Sequence, residues 1–217
     1  MNKKTIKKAL LLTVCAILLV VASVMGTLAY LTDSGKVVNT FTAGNVYITL
    51  DELITDVNGV PTGAGRQAGE IDETIGNQYH LIPGSTYTKD PTVTVAANSE
   101  SCWIFVKVEN GISAIEGGTK IAQQIEDNRW ELLNGTTNVY YKSHDKLAAD
   151  TPYVVFSNFT VDSAMGNTQL AAVAGNNVTV TAYAIQKENV GASAATLDEK
   201  VEAAWIALGN PDPTPAP

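Results

Sequence analysis

Histidine and cysteine are scarce in this chain: two of each stand in 217 residues, His80 with His144 and Cys15 with Cys102. Zinc peptidases of the HExxH kind set two imidazoles one helical turn apart around a glutamate base, and no such string occurs. His80 precedes a Pro-Gly turn and His144 lies in the polar run Lys142-Ser-His-Asp-Lys146, so both read as loop residues rather than ligands. Ser143-His144-Asp145 spells a catalytic triad, yet such a relay assembles from distant segments, and adjacency in sequence does not bring three side chains together. No Asp-x-Asp-x-Asp-Gly calcium loop is present, and the acidic pairs Asp51-Glu52 and Asp72-Glu73 read as solvated surface charge. No catalytic, cofactor-binding or metal-binding residue is expected, and no cofactor.

Basic residues are also few, 14 against 22 acidic, and four of them crowd the start. Lys3, Lys4, Lys7 and Lys8 form a positive n-region, the run from Ala9 to Met25 is an uncharged h-region, and Thr27-Leu-Ala29 offers the small residue that a signal peptidase requires at −1. The expectation is export, with residues 1–29 a signal peptide cleaved between Ala29 and Tyr30. The alternative is an uncleaved anchor, because a bilayer span needs about 17 to 25 apolar residues. Lipidation of Cys15 is not expected, since Leu12-Thr-Val-Cys15 lacks the small residue before the cysteine. Removing the four lysines leaves ten basic residues against 22 acidic ones, a formal charge of −12. Nucleic acid, whose phosphates need basic patches, is excluded as a partner, and the only contact with membrane is through an uncleaved leader. Cys102 is then the sole cysteine, no intramolecular disulfide is possible, and its place in an alternating apolar strand makes it a small buried hydrophobe.

Downstream, β-branched residues alternate in short runs bounded by Gly, Asn, Pro and Asp, the pattern of strands. Val46, Ile48 and Leu50 alternate with Tyr47 and Thr49, and Thr92 to Ala96 alternates after a Pro83-Gly84 turn. Cys102 to Val108 is apolar on both faces, which predicts a central strand or one covered by a partner. Trp130–Leu133 and Val139–Lys142 flank Asn134-Gly135, a hairpin signal, while Tyr153–Val161 and Val178–Gln186 read as two more strands. The Gly-rich stretch from Asp56 to Asn77 has no sustained period and reads as a surface excursion. A short amphipathic helix is expected between Ser113 and Asn128, weakened by Gly117-Gly118. A second helix is announced by the capping box Thr196-Leu-Asp-Glu199, with Leu197, Val201, Ala204, Trp205 and Leu208 on one face. After Gly209 the Pro-rich end, 209–217, can form neither helix nor ladder and carries no LPxTG-like sorting signal. The fold class is all-β, an antiparallel sandwich of jelly-roll type at 46–208 with a short C-terminal helix, preceded by a signal-peptide helix.

The leader ending in Gly26-Thr-Leu-Ala-Tyr-Leu-Thr-Asp33, the following Asn39-Thr-Phe-Thr-Ala-Gly-Asn-Val46, and Leu81-Ile-Pro-Gly84 running to Lys89-Asp-Pro-Thr-Val93 resemble the TasA/camelysin family of Gram-positive exported proteins, whose leaders are removed by a SipW-type signal peptidase. The match covers residues 1 to about 110. The resemblance implies a jelly-roll protein of the extracellular biofilm matrix or the cell surface, whose members build fibres when one subunit's mature N-terminal segment completes the sheet of the next. Residues 30–45 are then the assembly segment, with Tyr30, Leu31, Val37, Val38 and Phe41 as its candidate residues, and the partners are other copies of the chain, the signal peptidase and further matrix proteins. The camelysin branch offers a different class, a cell-surface metallopeptidase. A third reading is an adhesin or glycan-binding sandwich, which would need aromatics such as Tyr140, Tyr141 and Tyr153 exposed together on one face.

Overall fold

The computed structural model describes residues 45–68, 76–188, 190–191 and 194–209. The leader, the cleavage residues Thr27, Ala29 and Tyr30, the candidate anchors Leu31, Val37, Val38 and Phe41, Cys15, the Asp72-Glu73 pair and the tail from Asn210 lie outside these residues. Along the described chain run β1 (Ile48–Thr55), β2 (Pro61–Ala68), β3 (Thr86–Thr88), β4 (Thr92–Val95), β5 (Cys102–Asn110), β6 (Glu116–Gly117), α1 (Ile121–Asp127), β7 (Glu131–Leu132), β8 (Val139–His144), β9 (Thr151–Val154), β10 (Asn158–Val161), α2 (Asn167–Ala172), β11 (Val178–Gln186) and α3 (Leu197–Ala207). The architecture is mostly β and antiparallel throughout, in three sheets ordered β2-β1-β4-β9, β11-β5-β8-β7 and β3-β10-β6.

Alternation decides which sheet faces meet. Val93 and Val95 of β4 join Cys102, Ile104, Val106 and Val108 of β5 and Tyr140 of β8 in one core, with Ile48 and Leu50 of β1 and Val178, Val180 and Ala182 of β11 packed at its margin. Tyr87 and Phe159, stacked at 5.0 Å between ring centroids, bring the three-stranded sheet into the same core. The odd residues of β5, Trp103 and Phe105, point the other way and form a second cluster with Val139 and Tyr141 of β8 and Val201, Ala204 and Trp205 of α3. The two-faced apolarity of β5 thus has its cause inside the chain: the covering partner is its own C-terminal helix. That helix begins as its capping box requires, with Thr196 Oγ1 accepting from the Glu199 N–H at 3.2 Å and Glu199 accepting from the Thr196 N–H at 3.0 Å.

Three expectations are revised, and one helix was not expected. The stretch from Asp56 to Asn77 contains a strand, β2, which pairs with β1. Its residues Pro61 to Arg66 are all exposed, so no apolar period marks it. Its register is pinned instead by Arg66, which bonds the Asp51 carboxylate and reaches Asp90 Oδ2 at 2.6 Å. The turn before it needs glycine: Gly59 has φ +77°, and a Cβ there would stand 2.6 Å from Tyr87 Cα. The run from Tyr153 to Val161 is two strands in different sheets, because Val155 and Phe156 are both fully buried and successive residues of one strand cannot face the same core. The helix expected between Ser113 and Asn128 shrinks to α1, since Gly117 lies against β10, where a Cβ would meet Asp162 Cα at 2.8 Å. Helix α2 went unmarked by any periodic run; its six residues hold no fully buried side chain, and Leu170 only leans on the core.

Candidate assembly edge

In an antiparallel ladder the residues of a strand alternate between pointing both backbone groups at the neighbour and pointing both away. The parity for β11 is set just outside its ends. The Lys187 N–H donates to Ser101 O at 2.8 Å and the Gly111 N–H to Asn177 O at 2.9 Å, and both pairs continue the register Val178↔Asn110 to Gln186↔Cys102. Odd residues of β11 therefore bond β5. Even residues, Val178, Val180, Ala182, Ala184 and Gln186, turn their N–H and C=O groups away from β5, and among the described residues nothing pairs with them.

The same reasoning applies across the flank. The Ala96 N–H donates to Tyr47 O, so odd residues of β1 face β4. Ile48 and Leu50 face outward, beyond the point where β2 begins to pair at Asp51. β1 and β11 come close at this flank, and Ile48, Leu50, Val178, Val180 and Ala182 are only half-buried there. Two sheet edges thus lie side by side along the half-buried apolar margin of the core. An extended segment laid along it would find unpaired main-chain donors and acceptors on β11 and a greasy seat for every second side chain.

Edges of this kind are normally blunted by charge, proline, glycine or brevity. The other three edges of the four-stranded sheets obey that rule. β2 carries Pro61, Gly63 and Gly65, and β7 is two residues long. β9 holds Pro152 at an outward position, because the Val155 N–H donates to Pro91 O and so sets odd residues toward β4. β11 reads Val178-Thr-Val-Thr-Ala-Tyr-Ala-Ile-Gln186, nine residues without charge, proline or glycine.

The residues weighed for chemistry are dispersed. His80 is exposed, as expected of a loop residue. His144, expected in a loop, instead ends β8, is 2 % exposed and bonds the Tyr153 hydroxyl through Nδ1 at 2.8 Å. Its neighbours in sequence turn elsewhere: Lys187 Nζ lies 2.6 Å from Ser143 Oγ, 2.8 Å from Asp145 Oδ1 and 5.1 Å above the Trp103 ring. Ser143, His144 and Asp145 therefore form no relay. Cys102 is buried, and burial pushes its thiol up to about 11, which keeps it protonated. Tyr140 and Tyr141 are 5 % and 7 % exposed on opposite faces of β8, and Tyr153 is half-buried, so these three do not make an exposed aromatic platform. Glu52, read as solvated, is buried and paired with Lys89. Among the described residues no three of His, Cys, Asp and Glu gather as a metal would need.

His144 does carry a pH dependence. Burial and the nearby Lys187 charge hold its pKa below the ordinary 6.5, against the opposing pull of Asp145. Below 6.5 the unfolded chain takes up a proton that the folded ring resists, so stability is full above that value and falls as pH drops toward the folded pKa. Melting temperatures measured from about pH 7.5 down to 5 are expected to decline, and His144→Gln should flatten the slope. An unchanged slope in that variant would assign the titration to another group. Asp145, whose carboxyl is held below its usual 3.8 by Lys187, loses its contribution only in a lower window.

Neither family models, curated proteins nor solved structures returned a match to this chain. Sequence reasoning found strand Val178–Gln186 with its true bounds. Its position at an edge was missed; the signal available was the absence of any residue that would protect it.

Proposed function

We propose that this is a secreted, non-enzymatic subunit of the extracellular matrix or surface of a Gram-positive bacterium, which polymerises when its leader is cut after Ala29. The freed segment from Tyr30 to Phe41 adds to the outer edge of β11 of the next copy, beside β1, with Leu31, Val37, Val38 and Phe41 as candidate anchors. The observation that carries this reading is the unprotected β11 edge, whose even-numbered residues leave their main-chain groups unpaired among the described residues. Each backbone hydrogen bond gained is worth about 0.5–1.5 kcal/mol net, and covering the half-buried residues at this margin adds apolar burial. Donation from one copy to the next is heterologous and does not close on itself, so it grows a filament rather than a ring.

Within this reading the sandwich is of jelly-roll type. In support, the chain passes repeatedly between the facing four-stranded sheets, from β1 and β2 through β4 to β5, from β8 to β9, and back to β11.

Protein beginning at Tyr30 is expected to form filaments visible by electron microscopy, and protein beginning at Thr42 to remain monomeric. Equal filament formation by both would sink the donor role. Casein hydrolysis abolished by a chelator would instead favour the peptidase.

A further inference from the structure

Glu52, 8 % exposed on β1, is a carboxylate taken out of water, and such a charge persists only with close partners. Its Oε2 accepts from Lys89 Nζ at 2.7 Å. Its Oε1 accepts from Asn77 Nδ2 at 3.1 Å, from Gln67 Nε2 at 3.2 Å and from the Asn77 N–H at 3.4 Å. The Lys89 side chain is 11 % exposed. A single shielded carboxylate therefore holds an amine and a carboxamide next to one another. The rest of the Asn77 amide is fixed by β1: Oδ1 accepts from the Thr55 N–H at 2.9 Å, and Nδ2 also donates to Leu53 O at 2.8 Å.

These are the parts of an acyl transfer: a nucleophilic nitrogen, a proton carrier touching both nucleophile and leaving group, and an N–H aimed at the oxygen that gains charge. Gln67, the other carboxamide on Glu52, comes from exposed β2 and has no donor on its oxygen among the described residues.

We propose that Lys89 and Asn77 become joined by an intramolecular isopeptide bond, with Glu52 carrying the protons. The Lys89 ammonium passes a proton to Glu52 Oε2, and the freed amine attacks Asn77 Cγ. The Nζ–Cγ bond forms while the Thr55 N–H holds the oxyanion. Glu52 relays protons from Nζ to Nδ2, the Cγ–Nδ2 bond breaks, and the nitrogen leaves as ammonium. Two protons in all move from Nζ to Nδ2, Glu52 ends as the carboxylate it began as, and no oxidant or cofactor enters. Exclusion of water protects the carboxamide from simple hydrolysis. The product closes Asn77 to Lys89, with β3 inside it, into a covalent ring fastened beside β1.

Mass spectrometry of the full exported chain tests this. The expected result is a mass one ammonia below that of the sequence, and a protease digest containing a branched peptide that joins Lys89 to Asn77. Glu52→Gln and Lys89→Arg should each restore the full mass and two separate peptides, and either variant alone suffices should the other fail to fold. Wild-type protein at full mass, with Lys89 and Asn77 in separate peptides, would overturn the proposal and leave the pair as a buried ion pair. So would an ammonia loss that persists in both variants without a branched peptide, the mark of succinimide at Asn58-Gly59 or Asn134-Gly135.

Discussion

Ala182→Pro is expected to abolish filament growth from protein beginning at Tyr30 while leaving the subunit folded. The Ala182 N–H points away from β5, so proline there removes no hydrogen bond of the existing ladder. It deletes a donor at the centre of the edge that is unpaired among the described residues and sets a ring where an incoming strand must approach. Proline is tolerated at outward edge positions for this reason, and the extended conformation it imposes on the preceding residue suits Thr181. Tyr183→Pro provides the contrast. The Tyr183 N–H faces Phe105, and its loss from an interior pairing, with the ring driven toward β5, should destabilise the fold markedly. Sedimentation and electron microscopy report assembly, and circular dichroism reports folding. Filaments from Ala182→Pro at the wild-type rate would show that β11 is not the receiving edge.

Trp205→Ala carries the largest expected loss of stability, about 3–5 kcal/mol, or roughly 6 to 20 °C in melting temperature for a domain of this size. Trp205 is 3 % exposed and stands 5.2 Å from the Phe105 ring and 5.5 Å from Tyr183 between centroids. Among the described residues its indole N–H has no hydrogen-bond partner, so the loss is argued from apolar burial and packing. Trp205→Phe, which keeps an aromatic against Phe105, should lose clearly less. Denaturant midpoints measure both. A change below about 1 kcal/mol in the alanine variant would mean that α3 is a dispensable cover rather than half of the second core.

What was legible in the sequence follows from what water sees. β4, β8 and β11 announced themselves because alternate residues turn toward the core, β5 because it is apolar on both faces, and α3 because its cap and apolar face are local. β2 left no such trace: its residues face solvent, and it is held by Arg66 bonding Asp51 and Asp90, partners 15 and 24 positions away. The corner at Val155 and Phe156 was read as continuous strand because unbroken apolar sequence suits a buried bend as well as a strand. The site was legible only in part. That Val178–Gln186 is a strand is a local property, whereas its lack of a second neighbour among the described residues is decided by the order in which distant segments pair. Asn77, Glu52 and Lys89 were likewise unremarkable until β1 and the segment before β4 met.

Helix α3 bears on the kind of thread such a subunit could spin. One broad surface of the sheet holding β11 is already upholstered by Val201, Ala204 and Trp205, so that sheet can lengthen sideways but cannot press this surface dry against another, as the zippered laminates of amyloid do. A cord assembled as proposed is a string of intact globules, expected to come apart when its globules melt and to leave amyloid-reporting dyes dark.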